Sequence, residues 1–328
     1  MKPRTLNQPP NHSKDRTIVQ LLRTISFRVA AGLLVLCLTA ALQCRVAAAD
    51  EAKTFKSPDD AANAVVDALR KNDRPVLLTI FGSDSKGLLD SGDPVADKNY
   101  IDDFLKNYDQ MHRFSHGPDG KLFLIVGAEN WPMPIPLEKT SAGWRFDTPY
   151  GKKELLFRRI GGNEISAIRV LNAVVQGQHE YFDQKSGDGS TSQYAQKILS
   201  DEGKHDGLYW KIGANEKESP IGPLVADASK EGYGANSRGN PFHGYYFKML
   251  TAQGANEPGG ARSYVVDGKM TGGFAVLAYQ AEYRSSGVMT FLVDANGNVL
   301  EKDLGPKTKE LASAIDSYNP DKSWHPAE

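Results

Sequence analysis

Cysteine is almost missing: two occur in 328 residues, Cys37 and Cys44. Both fall in an N-terminal stretch that reads as an export leader, so the chain expected to fold holds none. That excludes disulfides, cysteine nucleophiles and cysteine metal ligands, although an oxidising compartment would permit disulfides. Long apolar runs are lacking as well. The uncharged run Val29 to Leu42 has 14 residues, short of the roughly 20 that a bilayer-spanning helix needs. Lys2, Arg4, Lys14, Arg16, Arg23 and Arg28 precede it, and Ala47-Ala48-Ala49 follow it. A basic region, a short apolar region and a small-residue exit form a secretory signal peptide. Cleavage is expected after Ala49, giving a periplasmic or secreted protein that is not integral to the membrane. A membrane anchor is the alternative reading. A lipoprotein anchor fits poorly, because Leu42-Gln43 stand before Cys44.

Net positive charge is lacking too. Residues 1–49 hold seven of the 39 Lys and Arg and one of the 40 Asp and Glu. Their loss leaves 32 basic and 39 acidic residues, a net of −7 with histidine neutral. Such a chain has no general attraction to nucleic acid or anionic lipid. The chemical signatures are absent as well: no Gly-x-Ser-x-Gly elbow, no phosphate loop and no dinucleotide fingerprint. Gly259-Gly260-Ala261-Arg262 is only a lone glycine turn. No cofactor is expected.

What remains is 279 residues of α+β pattern, a length that suggests two domains. We expect an N-terminal domain at 50–155, a second domain at 156–305 and a short helix with a tail at 306–328. In the first, Ser57 is a candidate N-cap, Pro58 suits the first helical position, and Asp59 and Asp60 face the helix dipole. Ala61, Ala64, Val65, Ala68 and Leu69 then recur at helical spacing. Further helices are expected at Val76–Phe81 and Tyr100–Arg113. Lys121–Gly127, Trp131–Leu137 and Gly143–Asp147 read as strands. Prolines at 132, 134 and 136 keep the middle one at an edge or make it cross as an extended segment, since proline cannot donate to a ladder. Helices followed by strands ending in a Trp-containing strand resemble the cone-shaped fold of nuclear-transport-factor-like and cystatin-like domains. That likeness implies no single function.

In the second domain, Ile165, Ile168, Leu171, Val174, Val175, Tyr181 and Phe182 advance in steps of three and four. They predict an amphipathic helix of about 20 residues, capped by Asn163, with a break before it at Gly161-Gly162. A short helix is expected at Gln193–Leu199, and a long polar excursion at 203–240. Gly244–Thr251, Phe274–Ala278, Val288–Val293 and Asn298–Asp303 read as antiparallel strands. Asp294-Ala295-Asn296-Gly297 turns between the last two. Thr308–Asp316 makes a short helix, and Trp324 anchors the tail.

The helix from Ile168 to Tyr181, the Tyr194-Ala195 turn, the Gly244-Tyr245-Tyr246-Phe247 strand and the Ala278–Leu300 hairpin resemble the globular part of type IV pilins and pseudopilins. That likeness implies a long helix packed on an antiparallel sheet. A pilin begins this helix with its polymerisation segment, whereas here a whole domain precedes it, so ordinary pilus assembly is not expected. Across the mature chain, Trp131-Pro-Met-Pro-Ile-Pro136, Trp144-Arg-Phe-Asp147, Phe157–Glu164 and Pro241–Phe247 resemble an exported bacterial family catalogued as a domain of unknown function. That resemblance implies no activity.

The candidate contacts follow from residue type. Tyr209, Trp210, Tyr233 and Phe242, with His243, are read as an exposed aromatic surface in the polar excursion, since aromatics dominate interface hot spots, or as the filling of a self-contained core. Asp147, Glu154, Arg158, Arg159 and Glu164 are read as ion pairs at the joint between domains, or as a carboxylate-binding or catalytic cluster. His112 and His116 have ligand spacing for one helix face, but Gly117-Pro118 end the helix there. No metal site is assigned. The function expected is a non-catalytic binding or scaffold module whose partner is an envelope protein or polymer. The alternative is a hydrolase-like enzyme using His243 or His205 with a nearby carboxylate. A carboxylate within hydrogen-bond reach of His243 in a concave pocket would favour the enzyme.

Overall fold

The computed structural model describes residues 51–117, 119–187, 190–213, 216–233 and 239–327. The expected leader, its cleavage point and both cysteines lie outside these residues, as do parts of the 187–192 and 203–240 loops. The architecture is α+β, helices with antiparallel sheets, and Lys53–Glu328 cluster as one unit.

Helix α1 (Pro58–Arg70) starts as its sequence dictates, with the Ser57 Oγ accepting from the Asp60 N–H at 3.1 Å. Its Ala61, Ala62, Val65, Val66 and Ala68 are buried. Asp73 caps α2 (Arg74–Phe81) by accepting from the Val76 N–H. Asp93 caps α3 (Pro94–Gln110) through the Val95 and Ala96 N–H groups. Strands β1 (His112–His116), β2 (Leu122–Val126), β4 (Leu137–Thr140) and β5 (Gly143–Phe146) form an antiparallel sheet in the order β1-β2-β4-β5, and β3 (Trp131–Pro132) pairs with β2. Phe55 extends the β5 edge through reciprocal backbone bonds with Trp144. The helices and this sheet enclose an apolar cluster that includes Ala61, Ile80, Phe104, Val126 and Leu137.

The helix expected over Tyr100–Arg113 stops three residues early, because Met111 is already extended (φ −166°, ψ 138°). His112 and His116 therefore stand on a strand, about 13 Å apart by strand rise. The Nδ1 of His112 lies 2.9 Å from the Tyr108 carbonyl and its ring stacks on Tyr108.

Helix α4 runs unbroken from Thr148 to Gly187, 40 residues and about 60 Å at helical rise. The expected domain boundary at 155/156 and the expected break at Gly161-Gly162-Asn163 both fall inside it. Tertiary bonds hold the middle. Asn163 donates to the Ser286 carbonyl at 2.9 Å, and Glu164 Oε1 accepts from the Val288 and Met289 N–H groups at 2.8 and 2.9 Å. Asn163 and Glu164 are thus crosslinks to the second sheet, not a cap and a first turn.

After α4, the helix expected at Gln193–Leu199 does not form. The buried Gln178 side chain takes both backbone groups of Ala195, at 2.7 and 2.8 Å, and Tyr194 bridges to Met270. These bonds satisfy the polar backbone without a helix. The polar excursion instead holds helix α5 (Gly222–Glu231), which ends at Gly232 in a left-handed conformation (φ 102°). Strands β6 (Tyr245–Leu250), β11 (Ala275–Gln280), β12 (Met289–Asp294), β13 (Val299–Asp303) and β14 (His325–Pro326) build an antiparallel sheet in the order β14-β13-β12-β11-β6. Between β6 and β11, two-residue strands β7 (Ala252–Gln253), β8 (Arg262–Ser263), β9 (Val265–Val266) and β10 (Lys269–Met270) form two short pairs. The second half of α4 packs on β11 and β12, and α6 (Thr308–Ser313) packs on β11. Val170, Leu171, Val174 and Tyr181 of the helix meet Tyr245, Leu277, Phe291 and Val293 in a second apolar cluster. Trp324 packs at its margin, as expected of a tail anchor.

Candidate functional site

Residues Leu155, Arg158, Arg159, Gly162, Asn163 and Ser166 advance along α4 in steps that keep to one face. They form one wall of a cavity of about 430 Å³. Val65 and Leu69 of α1, Leu77 and Phe81 of α2, and Tyr100, Ile101 and Phe104 of α3 supply apolar walls. Trp131, Met133 and Ile135 close another side, and His243 lies at the rim shared with the second sheet. The proline-spaced segment suits this place. Its alternate residues lack N–H groups, so they leave no donor unpaired against an apolar space.

Gly162 decides the shape of the α4 wall. A Cβ built there meets no atom within 4 Å. Helical side chains lean toward the N-terminus and cover the preceding turn. A larger residue at 162 would therefore lie over Arg158 and Arg159. Glycine in a helix interior costs about 0.5–1 kcal/mol relative to alanine, and here it leaves the wall open.

The two arginines differ. Arg158 is fully engaged. Its Nε donates to Glu154 Oε1 at 2.8 Å and its Nη1 to the Pro132 carbonyl at 2.9 Å. Its guanidinium also lies 5.0 Å from the centre of the Trp131 ring, a cation–π distance. Trp131 meets Tyr100 edge-on at 5.5 Å. Burial raises the Tyr100 hydroxyl well above the usual tyrosine range, against the opposing pull of Arg158. Arg159 is partly buried and has no carboxylate within ion-pair reach among the described residues. Asp97, the carboxylate that lines the cavity, accepts from the Ser91 N–H at 2.9 Å.

His243 and Gly244 have φ of 45° and 72°. Phe242 and Tyr245 exchange backbone bonds around them at 2.8 and 3.0 Å. Two consecutive left-handed residues are what a tight type I′ turn requires. Gly244 is also needed for space, because a Cβ there would sit 2.7 Å from Asn163 Nδ2 and from Ser286 Cβ. The turn presents His243, whose Nε2 lies 3.0 Å from Glu231 Oε2 at the end of α5. Tyr233 and Phe242 ring the imidazole at 5.0 and 4.3 Å. Tyr233 donates to Asp93 Oδ2 at 2.7 Å, and its hydroxyl is pushed well up by burial and then by that carboxylate. Asn99 donates to the Glu231 carbonyl at 2.8 Å, which ties α5 to α3.

Of the residues singled out from sequence, Arg158, Arg159 and His243 come together on the cavity, with Glu154, Tyr233 and Phe242 directly behind them. The others lie elsewhere. Trp210 is buried in the second apolar cluster, its Nε1 bonded to the Lys217 carbonyl, and Tyr209 is half-buried beside it. Tyr233 and Phe242 are half-buried as well. The exposed aromatic surface expected of these four is thus not formed. Their large apolar areas pack into cores and against His243 instead. His205 stacks on Trp210, and its Nε2 is 3.7 Å from Glu216 Oε2, beyond hydrogen-bond reach. Asp147 caps the start of α4 at the Tyr150 N–H and pairs with Lys121 at 2.7 Å. Glu164 serves β12. Tyr100, Trp131, Gly162, Asn163 and Ser166 were missed. The 155–159–162–166 spacing carries the signal for the last three, but it is visible only when the helix is read through its glycines.

Among the described residues, no three of His, Cys, Asp and Glu gather closely enough to hold a metal ion. No helix among them is long and apolar enough to cross a membrane.

The family model described as Protein of unknown function (DUF2950) matches residues 52–327. The chain belongs to this family. No curated protein and no solved structure matches it.

Proposed function

We propose that this member of the family is an exported, non-catalytic binding module of the cell envelope, and that its cavity takes a ligand with an apolar body. The basic-apolar-small pattern of residues 2–49 supports export and cleavage after Ala49. The likeness to pilins supports only a helix-on-sheet framework for the second half. The observation that carries the binding reading is the cavity itself. Its size, about 430 Å³, lies within the range of small-molecule sites. Its walls are mostly apolar, with a few polar groups converging on one side. A water-filled apolar space gains free energy when apolar ligand surface replaces the water.

The neutral dye N-phenyl-1-naphthylamine, which brightens in apolar surroundings, tests this. The purified protein should raise its emission saturably, and Gly162→Phe, which projects into the open wall, should abolish the rise. No saturable emission, or emission unchanged in Gly162→Phe, refutes the reading.

The His243–Glu231 contact at the rim favours a second reading, acid–base catalysis on a bound ester. It predicts ester hydrolysis that is lost in both His243→Asn and Glu231→Gln. No hydrolysis above buffer across an ester panel dismisses it.

A further inference from the structure

Three partly buried arginines occur among the described residues: Arg145, Arg158 and Arg159. Arg145 pairs with Glu138 and Arg158 with Glu154, each at 2.7–2.8 Å. Arg159 lines the cavity without such a partner. A guanidinium held partly out of water is stabilised chiefly by a paired anion. We propose, resting on the binding reading above, that the ligand carries one carboxylate, received by Arg159, on an apolar body that fills the space toward Phe104 and Leu77. The planar fork of arginine matches a carboxylate through two parallel N–H···O bonds.

The charges around the cavity set the count. Arg74 pairs with Asp90 and Arg158 with Glu154. Arg159 is the lining arginine with no carboxylate in ion-pair reach among the described residues, and its single fork takes a single carboxylate. A phosphate dianion would bring surplus charge into a mostly apolar space at high desolvation cost. The remaining carboxylate of the lining, Asp97, repels the ligand's anionic end and so orients it toward α4. Gly162 completes the site. With no side chain to lean over the preceding turn, it leaves Arg159 open to the cavity.

Displacement of N-phenyl-1-naphthylamine by decanoate and by decanol tests the inference on the full protein. Decanoate should displace the dye at an about tenfold lower concentration than decanol, the scale of one charge-assisted pair. Arg159→Met should bring the two to parity without changing the decanol curve, which also shows that the variant is folded. Arg159→Lys should keep part of the preference, since it retains the charge without the fork. Asp97→Asn should leave the preference intact or strengthen it. Equal displacement by decanol and decanoate in the wild type, or a preference that survives in Arg159→Met, overturns the carboxylate while leaving the apolar cavity standing. Failure of dye and decanol alike to bind overturns the cavity reading and this inference with it.

Discussion

Replacing Glu164 by alanine should destabilise the protein far more than its half-buried position on the helix suggests. Its Oε1 accepts two backbone N–H groups, Val288 at 2.8 Å and Met289 at 2.9 Å, where the chain enters β12. Bonds to a charged acceptor contribute about 1.5–3 kcal/mol each. At the lower end of that range the two together give about 3 kcal/mol. Alanine also leaves two partly buried donors without a partner, which adds rather than subtracts. Glutamine keeps an acceptor oxygen but loses the charge, so Glu164→Gln should cost about half as much. Urea unfolding followed by tryptophan fluorescence reads both, with the midpoint falling and the slope unchanged. In a thermal melt, Glu164→Ala should lower Tm by about 6–10 °C, by the scaling for chains of this size. A loss under about 0.5 kcal/mol for alanine, the ordinary range for surface changes, would refute the crosslink. So would glutamine costing as much as alanine.

Gly161→Ala should raise stability by about 0.5–1 kcal/mol and leave dye binding unchanged, because its Cβ meets nothing and it does not line the cavity. Destabilisation on urea unfolding would mean that the helix does not run straight through this position. For Asp147, burial pushes the carboxyl up, but the Lys121 ammonium and the Tyr150 N–H outweigh it and hold the group below the usual carboxylate range. A depressed folded-state value stabilises above the unfolded value of about 4, and that stability is lost as pH falls through the folded value. Asp147→Asn, which can still cap Tyr150, should therefore cost about 1 kcal/mol at pH 7, and its stability curve should merge with the wild type in strong acid. A gap that persists unchanged at low pH refutes the ion pair as its source.

The α+β class and the local punctuation of the chain were determined by sequence alone. Ser57 caps its helix, and strands form at 245–250, 289–294 and 299–303 where the sequence places them. Trp131–Pro132 is a two-residue strand at the margin of a sheet, the rest of the strand expected up to Leu137 not forming before β4 begins. These features are local, so propensity and periodicity within a few residues decide them. Long-range bonds decided the rest. Gly161-Gly162-Asn163 carries every sign of a helix end, yet α4 passes through it because Asn163 and Glu164 are tied to residues 286–289, more than 120 positions away. Gln193–Leu199 reads as a helix, yet Gln178 claims the backbone groups of Ala195 within it. Trp210 looks like a surface aromatic among polar neighbours, and only the fold shows the core it fills. Apart from the helical spacing of its α4 wall, the cavity belongs to this second kind of information. Arg159, Trp131, Tyr100 and His243 are scattered over 144 positions. Nothing in their local pattern says that one unbroken helix would bring them to the same space.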